Sequence, residues 1–120
     1  MKKLFVLMAF VAGTFSLANA QQKSTLAATI KTPTVQCQEC QQRIENYLAR
    51  EEGVVKYIVN YRNKTVKVWY WTDRTNLETI KTAIANAGYD ADDVAANPDS
   101  YKKLPTCCKK TEDGGGHKKP

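Results

Sequence analysis

The chain reads TVQCQEC at residues 34–40, and the hydrophobic periodicity changes at this point. Residues 26–34, which lead into it, alternate weakly between apolar and polar side chains. This alternation predicts a β-strand, which Pro33 ends because proline cannot donate to a ladder. Residues 38–51 instead place apolar side chains three and four positions apart, at Ile44, Tyr47 and Leu48. This spacing predicts an amphipathic helix, so a Cys-x-x-Cys sequence lies where a strand turns into a helix.

The rest of the pattern predicts a hairpin, a second helix and a last strand. Residues 54–61 and 64–71 are rich in Val, Ile, Tyr and Trp, and the short polar link between them favours two paired strands. Residues 75–87 carry an apolar stripe at helical spacing, and Gly88 is a suitable end for that helix. Residues 89–96 predict a weak strand, whose aspartates suit the edge of a sheet.

The predicted order of elements is β-α-β-β-α-β, which is typical of the ferredoxin-like fold. It predicts an α+β sandwich in which a four-stranded antiparallel sheet carries both helices on one face. We assign this domain to residues 26–96. The expected core consists of Ala28, Ile30, Ile44, Leu48, Tyr57, Val59, Val66, Val68, Leu77, Ile80 and Ile84.

The two ends of the chain differ in composition from this domain. Residues 1–20 begin with two lysines, continue as an apolar run and end in Ala-Asn-Ala, which is typical of a secretory signal peptide cleaved after Ala20. The run is short for a bilayer span of about 20 residues. We therefore expect a periplasmic or secreted protein with no stable membrane insertion. Residues 97–120 contain many Lys and Gly residues and predict a largely flexible C-terminal extension.

The charge of the chain is mildly basic. Its 120 residues carry a formal charge of +6, and loss of Lys2 and Lys3 with the signal peptide leaves +4. Much of this charge lies in the extension, and the aromatic residues are not interleaved with it. For an exported chain this pattern indicates a solvated tail, and we expect no nucleic-acid partner.

The chemistry of the chain is concentrated in Cys37 and Cys40. Positioned at a helix N-terminus, their thiolates would be stabilised by the free N–H groups and by the positive end of the helix dipole. Thiolates are soft ligands that select Cu(I) and also bind zinc and heavier thiophilic ions. A Cys-x-x-Cys pair can equally be a redox dithiol, half of a zinc ribbon or a structural disulfide, and the residues alone leave these alternatives open.

Four segments of the chain resemble the heavy-metal-associated domain family, which includes copper chaperones, domains of copper-transporting P-type ATPases and periplasmic mercury-binding proteins. The resemblance spans about residues 26–94. It is carried by the cysteine loop VQCQEC at 35–40, Gly53-Val54, the Val66-x-Val68 strand and Ala87-Gly88-Tyr89.

This resemblance implies a metal site made by Cys37 and Cys40. It implies Cu(I) as the first expectation for the bound ion, with Hg(II) or Zn(II) as the alternatives. Tyr89 matches the loop position beside the metal. Val35 stands where family members usually have Met, and we expect it to pack beneath the metal loop as a smaller apolar plug.

A second cysteine pair, Cys107-Cys108, lies outside the predicted domain. Adjacent cysteines form only strained disulfides with each other, so Cys107 and Cys108 are expected to be free, metal-bound or paired with other cysteines, and they are possible auxiliary metal ligands. The predicted last strand leaves the metal end of the domain, so the extension must fold back to return there. We expect Tyr101 and Leu104 to pack over Trp69 and Trp71 on the open face of the sheet on this route.

The leading hypothesis for function is therefore an exported metal chaperone or scavenger. No general base, nucleophile partner or phosphate loop accompanies the cysteines, so we do not expect an enzyme. The alternatives are a periplasmic thiol–disulfide oxidoreductase using Cys37 and Cys40 and a purely structural interaction domain. Expected partners are a metal-transporting membrane protein or another metal-binding domain, and the expected state is a monomer or a metal-bridged dimer.

Overall fold

The computed structural model describes residues 24–115, so the predicted signal peptide at 1–20 lies outside the described residues. Strand β1 (Thr25–Lys31) leads into helix α1 (Gln38–Ala49), and the hairpin strands β2 (Val54–Asn60) and β3 (Thr65–Trp71) follow. Helix α2 (Leu77–Ala87) and the short helix α3 (Pro98–Lys102) come next. Two single 3₁₀ turns, Thr106–Cys108 and Thr111–Asp113, complete the order. Each predicted helix and each of the first three strands forms within three residues of its predicted bounds.

The sheet has the strand order β1-β3-β2, with both pairs antiparallel. Val68 of the central strand pairs with Ala28 on one side and with Tyr57 on the other. Residues that pair across neighbouring strands lie on the same face of a sheet. Here that face is the one packed in the core with the helices. The predicted hairpin and the face that it turns toward the core are confirmed.

The predicted fourth strand does not form among the described residues. Residues 89–96 make a turn closed by a single bridge between Ala91 and Val94. The aspartates are the physical reason, because their carboxylates accept backbone N–H groups that a ladder would otherwise use. Asp90 accepts from Ala96 N at 2.8 Å, and Asp92, at φ 51°, accepts from Lys31 N at 2.7 Å. The α+β architecture is observed, but the sheet has three strands and the four-stranded ferredoxin-like sandwich is not confirmed.

Both long helices pack on one face of the sheet around a shared core. Eight of the predicted core residues are buried: Ile30, Ile44, Leu48, Val59, Val66, Val68, Ile80 and Ile84. The other three, Ala28, Tyr57 and Leu77, are half-buried against them. Val35, Tyr89, Leu104 and Cys108 join the same core. None of the helices between residues 24 and 115 is both long and apolar enough to cross a bilayer.

The C-terminal extension takes a different route from the expected one. Asn97 N donates to Ala85 O at 2.9 Å, so the extension starts at the C-terminal end of α2. Leu104 then packs directly against Gly88, and residues 106–113 form compact turns where composition predicts flexibility. The prediction that Tyr101 and Leu104 cover the open face of the sheet is therefore wrong, because Leu104 packs against Gly88 instead. Because residues 89–96 turn back instead of running along β1, the chain never leaves the end where the cysteines lie.

The open face of the sheet carries Trp69 between two lysines. Lys56 Nζ lies 4.9 Å from its ring centroid and Lys67 Nζ lies 5.1 Å away. Such contacts are favourable and let the aliphatic stems of the lysines cover apolar surface. The ring of Trp69 is therefore flanked by one lysine of β2 and one lysine of its own strand, β3.

Candidate metal centre

Cys37 and Cys40 lie at the first turn of α1, as the change of periodicity predicts. Cys37 is the N-cap residue, with extended backbone at φ −149° and ψ 172°, and Cys40 is three positions further on. Their sulfurs are 3.1 Å apart, and both side chains are buried. A helix N-terminus carries free N–H groups and the positive end of the helix dipole, which suits the anionic ligands of a metal ion.

Backbone contacts hold the loop that precedes α1. Lys64 Nζ donates to Pro33 O at 3.3 Å and to Val35 O at 3.2 Å. Asp90 N donates to the hydroxyl of Thr34 at 3.1 Å. Val35 is fully buried in the core cluster, and its role as an apolar plug beneath a metal loop stays a prediction. The loop is thus attached to the β2–β3 hairpin and to the turn after α2, so the cysteines stand on a supported base.

The structure brings Cys108 into this cluster. Its sulfur lies 2.6 Å from that of Cys40 and 3.8 Å from that of Cys37. The side chain of Cys108 is completely buried. The ligand atoms of Cys37, Cys40 and Cys108 all lie within 4.8 Å of one another, which is close enough for one metal ion to contact all three. Burial, together with the hydrogen bond to Cys40, raises the pKa of the Cys108 thiol.

Cys107 lies at the rim of the cluster and not inside it. Its sulfur is 3.7 Å from that of Cys37 and 3.9 Å from that of Cys108. It is half-buried, and its thiol donates to the carboxylate of Glu39 at 3.1 Å. This hydrogen bond, followed by desolvation, raises the pKa of Cys107 to about 11. The sequence predicts both extension cysteines as auxiliary ligands, whereas the structure separates them into an inner and an outer sulfur.

Tyr89 lies next to the sulfurs of Cys40 and Cys108. It is fully buried, and burial raises the pKa of its phenol, with the neighbouring Cys108 and Cys40 sulfurs raising it further. In turn, the phenol lowers the pKa of Cys108 by donating toward its sulfur. No hydrogen bond of ordinary geometry satisfies this hydroxyl within residues 24–115. The expected position beside the metal is therefore occupied by a neutral donor that faces the cysteines.

One side of the cluster opens to solvent through a cavity of about 390 Å³. Its lining consists of Gln36, Cys37, Gln38, Glu39, Tyr61 and Cys107. The extension lies across another side of the loop, where the Gln36 side chain donates to Lys109 O. The sequence does not predict the roles of Glu39 and Gln36, because each contacts a residue about 70 positions away in the chain.

The domain that holds Cys37 and Cys40 matches a known protein family. A model described as the heavy-metal-associated domain matches residues 29–90 of the chain. That range contains both cysteines of α1 and Tyr89, whereas Cys107 and Cys108 lie beyond its end.

Individual relatives handle mercury or copper. The chain is 32% identical over 92 residues to the mercuric transport protein periplasmic component of Acinetobacter calcoaceticus, covering 74% of this chain and 93% of that protein. It is 36% identical over 56 residues to a copper-exporting P-type ATPase of Staphylococcus epidermidis. That match covers 47% of this chain and only 7% of the ATPase.

A solved structure with the same fold is that of oxidised MerP from Ralstonia metallidurans CH34. It superposes with a TM-score of 0.55 at 25% identity, covering 57% of this chain and 96% of the other. More than half of the chain therefore has a counterpart of known fold.

Proposed function

Because the chain belongs to the heavy-metal-associated domain family, we propose that it is an exported chaperone or scavenger of soft metal ions, with Cys37 and Cys40 as the ligands. One observation carries this proposal: two buried sulfurs lie 3.1 Å apart at the N-terminus of α1, in the region that the family model matches. A helix N-terminus supports thiolates, and thiolates select Cu(I), Hg(II) and, less strongly, Zn(II). The proposed role is binding and transfer rather than catalysis.

The proposed location is the periplasm or the outside of the cell. The signal-peptide pattern at residues 1–20 supports it, as does the similarity to the Acinetobacter relative, which is a periplasmic component. The proposed partners are a metal-transporting membrane protein or another heavy-metal-associated domain. The open side of the cluster, lined by Glu39 and Cys107, is where such a partner would approach.

A titration of the reduced mature chain with Cu(I) against a chromophoric chelator tests the proposal. We expect one tightly bound ion per chain, and a loss of at least about 100-fold in affinity for Cys37→Ser/Cys40→Ser, since two thiolates are removed. The matched control is Cys107→Ser, which removes a thiol at the rim and leaves the pair intact. Weak binding by the unchanged chain, or equal binding by the double variant, would contradict the proposal.

The second candidate is a thiol–disulfide oxidoreductase, and the closeness of the Cys37 and Cys40 sulfurs favours it. Its test is the reduction potential of the pair. A reduction potential in the range of dedicated oxidoreductases, together with weak metal binding, would favour the oxidoreductase over the metal-binding protein.

A further inference from the structure

The extension is held in place by contacts that do not involve its cysteines. Leu104 is buried against Gly88. The hydroxyl of Tyr101 accepts from Lys110 N at 2.9 Å and donates to the carboxylate of Asp113. These contacts lie on both sides of Cys108 in the chain. The position of Cys108 is therefore set by the packing of the extension as well as by its hydrogen bond with Cys40.

The distances between the sulfurs suit one shared ion. Three thiolates around an ion at about 2.3 Å would lie about 4 Å apart in a trigonal arrangement. The sulfurs of Cys37 and Cys108 are already 3.8 Å apart. Cys40 lies closer to both, at 3.1 Å from Cys37 and 2.6 Å from Cys108, so small side-chain rotations that open these two separations would complete the triangle.

We propose that Cys108 is a third metal ligand, so that Cys37, Cys40 and Cys108 hold one soft metal ion between three thiolates. The inference rests on the proposed function, which supplies the first two ligands, and adds a ligand from outside the matched domain. Each thiol releases its proton to solvent as it binds the ion. Cys107 is excluded from the ligand set because it is half-buried and its thiol is directed at Glu39.

An independent observation beneath the site points to the same ion. The Tyr89 hydroxyl is fully buried, lacks a partner of ordinary geometry within residues 24–115, and faces the sulfurs of Cys40 and Cys108. A buried hydroxyl whose contacts with two thiols fall short of ordinary hydrogen-bond geometry is poorly satisfied, and this is costly. Metal-bound thiolates are acceptors, so binding of the ion to these two cysteines would satisfy the phenol.

A third thiolate changes what the site does with its cargo. A pair of cysteines leaves the ion open to an incoming ligand, whereas three surround it more completely. The extension would have to move before Cys108 could leave the ion. The three-thiolate site therefore favours retention, and transfer to a two-cysteine acceptor becomes slower than from the Cys37 and Cys40 pair alone.

X-ray absorption at the copper edge of the Cu(I)-loaded mature chain counts the sulfur ligands directly. We expect three sulfurs in the unchanged chain, two in Cys108→Ser and three in the adjacent control, Cys107→Ser. Cu(I) affinity should fall about tenfold or more in Cys108→Ser and stay within about twofold in Cys107→Ser. Native mass spectrometry of the same samples should give one ion in a monomer.

The possible outcomes separate this inference from the proposed function. Two sulfurs in the unchanged chain, equal losses in the two serine variants, or a third sulfur seen only in a dimer would overturn the role of Cys108 and leave the Cys37 and Cys40 site standing. Failure of the unchanged chain to bind Cu(I) would overturn both. If Cys108→Ser does not fold, the unchanged chain, Cys107→Ser and Cys108→Ala still decide the sulfur count.

Discussion

The sulfur of Cys108 lies 2.6 Å from the sulfur of Cys40, although 68 positions separate them in the chain. Cys40 lies in the first turn of α1, inside the range that the family model matches, and Cys108 lies beyond its end. The C-terminal extension is therefore continuous with the cysteine cluster. The matched domain supplies two sulfurs of the cluster, and the extension supplies the third.

Removing the Tyr89 hydroxyl should weaken metal binding without lowering the stability of the metal-free protein. In Tyr89→Phe we expect Cu(I) affinity to fall about tenfold, because one hydrogen bond to a charged acceptor contributes about 1.5 kcal/mol. The metal-free protein should be unchanged or more stable by up to about 1 kcal/mol, because a buried hydroxyl without a good partner is removed. Chelator competition and urea unfolding measure the two effects.

Tyr61→Phe is the matched control for this prediction. The Tyr61 hydroxyl accepts from the Arg62 guanidinium at 3.3 Å and lies at the exposed rim of the cavity. Its removal should leave both measurements unchanged. A fall in metal-free stability for Tyr89→Phe would indicate a structural hydroxyl instead.

The contact between Gly88 and Leu104 should control the docking of the extension. Gly88 has φ +109°, and a Cβ there would lie 2.9 Å from Leu104 Cδ2. Gly88→Ala should therefore lower the free energy of unfolding by more than about 1 kcal/mol through backbone strain alone, and should expose Cys108 to alkylation. Mass spectrometry after brief treatment with a thiol reagent, with each cysteine resolved, measures that exposure.

Leu104→Ala separates the two causes of this effect. It should also expose Cys108, because about 2 kcal/mol or more of apolar packing is lost. When combined with Gly88→Ala it should cost less than the sum of the two single changes, because the clash is gone. Strictly additive effects would mean that residues 88 and 104 are not in contact in solution.

Glu39 should suppress the reactivity of Cys107. The hydrogen bond to its carboxylate is the largest of the causes that raise the pKa of Cys107 to about 11. A raised thiol pKa means that less thiolate is present at pH 8, so Glu39→Gln should lower the pKa and speed alkylation of Cys107 at that pH about tenfold or more. The pH dependence of the alkylation rate measures this directly.

Glu52→Gln provides the control, because Glu52 is exposed beyond the other end of α1. The Cys107 rate should not change in that variant. Equal acceleration of Cys107 alkylation in both variants would mean that net charge, and not the hydrogen bond to Glu39, controls the rate.

The ion pairs of Lys81 should stabilise the fold at neutral pH and lose this effect as the pH falls into the acid range. Lys81 Nζ lies 3.0 Å from Asp93 and 3.1 Å from Glu78, joining α2 to the turn that replaces the fourth strand. The hydrogen bond from Lys81 lowers the pKa of Asp93. A lowered carboxyl pKa stabilises the fold above the unfolded value of about 3.9 and loses that stabilisation as pH falls through the folded value.

Lys81→Met should therefore unfold at a lower urea concentration than the unchanged chain at pH 6, and the gap should narrow toward pH 2.5. Metal-free samples are needed, since metal binding also depends on pH. Lys102→Met, at an exposed position of α3, should show no such gap. A gap that persists at pH 2.5 would indicate lost packing of the Lys81 stem and not a lost ion pair.

Local patterns predicted the first three strands and both long helices because each depends on neighbours within a few positions. The period of two at β1 and the 3.6-residue period at α1 meet at Cys37, so the strand-to-helix junction and its two cysteines follow from the sequence. Residues 89–96 show where such reasoning fails. Their alternation is weak, and the hydrogen bond from Lys31 N to Asp92 competes with strand pairing in a way that composition does not reveal.

The sequence by itself determined the α+β class, the hairpin, and the placement of Cys37 and Cys40 at a helix N-terminus, because these depend on local periodicity and capping. Only the tertiary structure decided that Cys108 is the inner sulfur and that Tyr89 faces it. Both depend on the turn at 89–96 and on Leu104 packing against Gly88, contacts between elements that local periodicity does not encode.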